Sequence, residues 1–148
     1  MAAVKLRSGW DRLRYAAMFE ATLLAMMIPA GSLVFDKPPE EIGLLGLALC
    51  GKALVMSLLY NWAFDRIDAR RGRVASDRSH LGRIVHAVGF EVTLTLTSLP
   101  LYVFWLGIGV AEALAADVVV TTFVVCWTWA YTLAYDRAFP VGGGAAAA

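Results

Sequence analysis

Arg12-Leu-Arg-Tyr-Ala-Ala-Met-Phe-Glu20 ends in a carboxylate, and an apolar run from Ala21 to Phe35 follows it. At about 1.5 Å of helical rise per residue, Glu20 lies roughly 12 Å deeper than Arg12, well inside a hydrocarbon layer about 30 Å thick. An ionised side chain there costs at least a few kcal/mol, roughly, unless it is paired, hydrated or protonated. The same stretch returns 71 positions later as Arg83-Ile-Val-His-Ala-Val-Gly-Phe-Glu91. Whatever Glu20 does, the chain carries a second copy of it.

Working outward, four apolar segments separate cleanly: Leu13 to Phe35, Ile42 to Phe64, Ile84 to Ile108, and Ala113 to Tyr135. Each is long enough to span a bilayer. The 148 residues are 59% hydrophobic and 17% charged, a bias that soluble domains do not show. The first segment is too long and too acidic at Glu20 for a cleavable signal, so it is expected to stay in the mature protein.

The repeat is gapless. Arg12 and Arg83, Glu20 and Glu91, Pro29 and Pro100, Glu41 and Glu112, Tyr60 and Tyr131, and Asp65 and Asp136 are all 71 apart. This regularity predicts a duplicated helical hairpin. Each copy holds an even number of spans, so both enter the membrane the same way round as parallel repeats. The expectation is an all-α membrane protein of four transmembrane helices in two parallel tandem hairpin repeats. The first repeat covers 12–66, a basic cytoplasmic connection 67–82, the second repeat 83–137, and 138–148 reads as a disordered tail or a cloning remnant. Pro29 with Gly31 predicts a kink or local thinning in the outer half of helix 1.

Charge sets the expected orientation. Lys5, Arg7, Arg12 and Arg14 precede helix 1, and Arg66, Arg70, Arg71, Arg73, Arg78 and Arg83 fill the middle connection. The positive-inside rule puts both termini and that connection in the cytoplasm. Topology accounts for the basic loop, and no nucleic acid is implied. Cys50 and Cys126 fall inside spans without metal-ligand spacing and read as packing residues. No phosphate-cradling glycine loop, nucleophile elbow or zinc ligand set occurs, which argues against an enzyme.

The positions identical in both copies, Arg12, Ala16, Phe19, Glu20 and Leu23, fall on one helical face, matched by Arg83, Ala87, Phe90, Glu91 and Leu94. That face is expected to point into the bundle and set the two glutamates around a pseudo-axis. A cation and a proton compete for one such carboxylate, and competition at one group couples export to proton entry when the site is exposed alternately. The plainer reading makes Glu20 a structural group satisfied by Lys52, Tyr15 or a hydroxyl. Thr93, Thr95, Thr97 and Ser98 near Glu91 either hydrate a path or bond back to helix carbonyls. His86, whose counterpart is Tyr15, is either a proton relay or a simply hydrogen-bonded interfacial residue.

Lys52 breaks the repeat, since its counterpart is Phe123. It reaches Glu20 in one arrangement and Asp117 of helix 4 in another, and the second, structural pairing is favoured. Asp65 and Asp136 sit at helix C-termini, where an aspartate opposes the dipole, so each is expected to pair with Arg12, Arg14 or Arg83. Trp62, Phe64, Trp127, Trp129, Tyr131 and Tyr135 crowd the even helices as interfacial belts or as rings that hold a lipophilic cation.

These motifs resemble the proteobacterial antimicrobial compound efflux family, built from two bacterial transmembrane pair domains. Arg83, His86, Ala87, Phe90 and Glu91 match its odd-helix pattern, as do Arg12, Ala16, Phe19 and Glu20. Tyr60-Asn61 with Phe64-Asp65, and Trp127 to Trp129 with Tyr131 and Tyr135-Asp136, match its even-helix ends. The resemblance implies a multi-pass exporter in the bacterial inner membrane, driven by the proton gradient without a cofactor. Its implied cargo is biocide cations such as chlorhexidine or acriflavine and short diamines, and it implies homodimers. It also implies that Glu20 carries the proton coupling; from the residues themselves Glu91 is the second candidate for coupling, and Glu20, Phe19, Tyr60, Asn61, Trp127 and Tyr131 are the candidate substrate contacts. Tyr15 departs from the expected histidine, Met56-Ser57 stands where Trp-Asn is usual, and Lys52 adds a buried charge that should discourage dications. The competing expectation is a non-transporting membrane interaction protein, and a third is a channel or proton leak.

Overall fold

The computed structural model describes residues 7–72 and 79–140. Lys5, Arg73, Arg78 and the Gly142–Ala148 tail lie outside the described residues. Four helices follow one another: α1 (Gly9–Phe35), α2 (Pro39–Arg70), α3 (His80–Leu106) and α4 (Val110–Ala138). All four are long and apolar enough to cross a membrane.

The helix ends repeat as faithfully as the motifs do. Ser8 caps α1 by accepting from the Asp11 N–H, and Ser79, 71 positions later, caps α3 by accepting from the Gly82 N–H, both at 3.2 Å. Each satisfies a donor that the first helical turn leaves unpaired. At the other end Asp36 and Gly107, again 71 apart, take the left-handed conformation with φ 49° and 71° and return their N–H groups to Ser32 and Val103. Glycine adopts this conformation at no steric cost; aspartate is among the few side chains that tolerate it. Pro39 opens α2, where a missing N–H costs nothing, and the Glu112 carboxylate accepts from the Gly109 N–H to open α4.

Two helix bounds differ from the sequence expectation. α2 continues through Ile67-Asp-Ala-Arg70 because nothing breaks it before Gly72 at φ 67°. α3 starts three residues ahead of Arg83 because Ser79 supplies the cap. Among the described residues, then, part of the polar connection is helix. Both α1 and α3 run unbroken through Pro29 and Pro100.

α1 packs on α2, α2 on α3, α3 on α4, and α4 returns to α1. The hairpin turns share one end of this ring; the first and last helix ends share the other. The tightest packing lies near the turns, where Ile42, Leu45, Tyr102, Leu106 and Ala113 form one buried cluster. There the two hairpins exchange sizes. Gly31 lies directly under Ile42, while the 71-shifted positions hold Tyr102 and Ala113, so a small residue opposes a large one in both copies with the roles reversed. Elsewhere large apolar side chains such as Leu54, Leu58, Val92, Leu96 and Val119 are exposed, as a hydrocarbon surround permits. Since lipid gives no hydrophobic drive between helices, polar ties between them carry extra weight.

Candidate functional site

Three polar centres lie along the helix interfaces. The first joins α1 to α2, where Glu20 is half-buried and the Cys50 thiol donates to its Oε1 at 3.1 Å. Among the described residues this is the carboxylate's one hydrogen bond, and no cation lies within ion-pair distance of it. None of the expected satisfying groups takes the role. Tyr15 turns instead to Thr132 and Lys52 to α3. Cys50, expected as packing, is the contact that sequence reasoning missed, because a thiol 30 positions away carries no pattern.

The second centre occurs twice. On one side the Tyr60 hydroxyl of α2 donates to the His86 carbonyl of α3 at 3.0 Å, and Asn61 Oδ1 lies 3.1 Å from His86 Nε2. On the other, the Tyr131 hydroxyl of α4 donates to the Tyr15 carbonyl of α1 at 2.9 Å, and the Tyr15 hydroxyl lies 2.7 Å from Thr132 Oγ1. Every residue of one set is shifted by 71 from its equivalent in the other. The rings repeat too: Tyr60 meets Phe90 at 5.4 Å between centroids and Tyr131 meets Phe19 at 5.3 Å. His86 meets Phe64 at 4.7 Å, as Tyr15 meets Tyr135 at 4.9 Å. Each hairpin therefore fastens to the other through the same two positions, which makes the repeat a structural two-fold relation. The offset of 71 between 15 and 86, and between 61 and 132, was the available signal for Thr132.

The third centre has no copy. The Lys52 ammonium donates to Ser98 Oγ at 2.5 Å and to the Leu94 carbonyl at 3.0 Å. Asp117, 7% exposed, accepts from Thr95 at 2.8 Å. Among the described residues Lys52 makes no ion pair within 4.0 Å, so the favoured Lys52–Asp117 pair does not form: Lys52 turns to Ser98 and the Leu94 carbonyl, while Asp117 takes the Thr95 hydroxyl. At the positions equivalent to Thr95 and Asp117 stand Leu24 and Gly46, in apolar contact. The α3 hydroxyls divide between these roles, since Thr93 and Thr97 bond back to the helix carbonyls of Gly89, Thr93 and Leu94.

The retained face points inward only in part. Leu23 is buried and Phe19 and Glu20 half-buried, but Arg12, Ala16, Arg83, Ala87 and Glu91 are exposed. The two glutamates thus occupy unlike surroundings, because α3 turns Ser98 and Thr95 toward its neighbours while α1 turns Leu23. Of the expected substrate contacts, Phe19, Trp127 and Tyr131 gather between α1 and α4, whereas Tyr60 and Asn61 lie at the α2–α3 interface. Among the described residues the buried Trp127 indole N–H has no hydrogen-bond partner, an unused donor beside that aromatic group.

At the helix ends Asp136 pairs with Arg7, not with Arg12, Arg14 or Arg83. Arg7 also binds Asp11 and the Phe139 carbonyl, so it reaches across where Arg12, on the outer face of α1, does not. Its pKa is raised, first by the hydrogen bond to Asp11, against an opposing effect of desolvation and with further help from Asp136. Arg14 donates to Asp11 and to the Tyr135 hydroxyl and stacks 3.8 Å over Phe139. Asp65 and Arg83 also have partners among the structure's interactions. The rings nearest this end are thus occupied by the protein's own cations, Arg66 over Trp62 included.

Four apolar helices in two like hairpins, with acidic groups held at mid-span, define a multi-pass membrane protein of the duplicated-hairpin class. The chain belongs to the chlorhexidine efflux transporter family (BTP), whose profile matches residues 7–70 and again 78–141. It is similar to a short-chain diamines transporter of Vibrio parahaemolyticus, 30% identical over 89% of this chain and 92% of the relative. Short-chain diamines transporters of Acinetobacter baylyi and Acinetobacter baumannii are 26% and 27% identical over 84% and 87% of this chain and 86% and 90% of those proteins. No solved structure matches the chain. Family and relatives make it a membrane transporter.

Proposed function

We propose that this transporter exports hydrophobic organic cations and short diamines in exchange for protons, with Glu20 as the exchange group. One observation carries the reading: a half-buried carboxylate within a span that has a thiol donor but, among the described residues, no resident cation. In that setting the ionised form needs a counter-charge, which either a proton or a substrate ammonium supplies, and each excludes the other. The aromatic group of Phe19, Trp127 and Tyr131 begins on the same helix as Glu20 and offers π faces to an organic cation. The basic residues flanking α1 and the middle connection favour an inner-membrane protein with both termini in the cytoplasm. The family's description and the relatives' names support the substrate range.

The test is acriflavine export from energised everted vesicles, comparing wild type, Glu20→Gln and Glu91→Gln at matched membrane content, with an uncoupler control. Export by wild type that the uncoupler abolishes, with a folded but inert Glu20→Gln, is the expected result. A Glu20→Gln protein that still exports in a gradient-dependent way overturns the assignment. Loss of thermal stability without any wild-type export favours the interaction protein instead.

A further inference from the structure

Asp117 stands in the apolar run of α4 and is 7% exposed. Among the described residues the Thr95 hydroxyl of α3 is its one hydrogen-bond donor, and no cation lies within 4.0 Å of it. It is seven residues into the helix, about 10 Å from the hairpin-turn end, whereas Glu20 is nearer the opposite end of the bundle. Ala113, one turn before it on the same face, and Tyr102, two turns beyond Thr95 on α3, belong to the buried cluster and cover it on the side of the turns. The place is polar in one hairpin only. At the positions 71 earlier Leu24 packs on Gly46, so a helix contact made there by apolar groups is made here by a hydroxyl and a carboxyl group. Packing alone therefore does not call for Asp117.

Thr95 is the exception among its neighbours. Thr93, Thr97 and Ser98 each bond back to the carbonyl four residues earlier, while Thr95 turns to α4. A hydroxyl both donates and accepts, so it serves either form of the acid. With Asp117 ionised, Thr95 donates to it, at the cost of an unpaired charge inside a span. With Asp117 protonated, the new O–H donates to Thr95 Oγ1, and the Thr95 proton returns to the Glu91 carbonyl as its neighbours' protons do. Neither state orphans a polar group.

We propose that Asp117 is a second proton-binding site of this transporter, that Thr95 accommodates both the arrival and the departure of the proton, and that no substrate cation displaces it there. The site stands independently of the reading of Glu20. Few charged or titratable groups surround it. From α3 come Glu91, exposed one turn from Thr95, and Tyr102; α1 carries none between Glu20 and Asp36. Lys52 enters the layer from α2 bonded to Ser98 and the Leu94 carbonyl, and on α4 Glu112 is taken up by the Gly109 N–H.

Infrared pH-difference spectra of the purified protein in lipid, read at the carbonyl stretch of protonated carboxyl groups, test this without relying on export. Acidification should raise a band that persists in Glu20→Gln and Glu91→Gln and is missing from Asp117→Asn. Asparagine keeps an acceptor for Thr95, so the helix contact survives while the proton site goes. Thr95→Val should move the same band to higher frequency, since the carboxyl group loses its partner, and Thr95→Ser should leave it in place. A tetraalkylammonium ion added to wild type should remove the Glu20 band and leave the Asp117 band. A folded Asp117→Asn with the wild-type spectrum overturns the inference, which is also the result expected of a carboxylate kept ionised by Lys52. So does an Asp117 band that the cation abolishes. If Asp117→Asn fails to fold, a wild-type spectrum unmoved by Thr95→Val overturns it in the same way. A Glu20 band indifferent to the cation, with the Asp117 band intact, refutes the exchange site at Glu20 and leaves the proton site at Asp117 standing.

Discussion

Glu20 draws its character from what the chain withholds from it. Lys52, the nearest cation in sequence depth, faces the other side of α2, and Tyr15 is spent on Thr132, so among the described residues the carboxylate retains only the Cys50 thiol. Cys50 is exposed, as is the chain's other cysteine, Cys126. A thiol on the carboxylate makes a local reporter. In a Cys126→Ala background, N-ethylmaleimide should block cation export, bound acriflavine should slow the labelling, and Cys50→Ser should make export insensitive to the reagent. Labelling of Cys50 that leaves export unchanged would place the cation path elsewhere.

Between elements, the ties that matter are the paired tyrosines. Tyr60 hooks α2 onto the backbone of α3, and Tyr131 hooks α4 onto α1 at the 71-shifted place. Interhelical hydrogen bonds in membranes average about 0.6 kcal/mol, so Tyr60→Phe and Tyr131→Phe should each lower stability by about that much. The two losses should agree within about 0.5 kcal/mol, since the geometry is duplicated, and should add in the double variant. Unfolding in mild detergent followed by circular dichroism measures all three. A loss confined to one tyrosine would show that the two-fold relation is geometric without being energetic. The fit is not identical on both sides. A side chain at Gly89 would collide with the Tyr60 hydroxyl, whereas the equivalent Met18 coexists with Tyr131.

At the scale of the molecule, the start of α1, the end of α2, the start of α3 and the end of α4 share one end of the bundle. There Arg7 clamps Asp11 and Asp136 and ties the start of α1 to the end of α4. The clamp is partly exposed, so solvent screens it and its net stabilisation is small. The basic residues act more strongly on orientation. Reporter fusions after residue 140 and in the 73–78 connection should both report the cytoplasmic side, and one in the Asp36–Pro38 turn the periplasmic side. A periplasmic report from the C-terminal fusion would reverse the direction of transport inferred for Glu20.

The sequence by itself determined the four helices, their pairing into hairpins and the duplication, because apolar length and an unbroken offset of 71 are local, one-dimensional signals. It also marked Glu20, since a carboxylate inside an apolar run is costly wherever it lands. Partners were another matter. That Glu20 meets Cys50, that Lys52 turns to Ser98, that Arg7 and not Arg12 holds Asp136, and that Glu91 stands open were decided by helix rotation and by which neighbour each face meets. Composition and spacing place a residue on a helix and at a depth. Only packing four helices into a ring selects, among several groups at the same depth, the one close enough to touch.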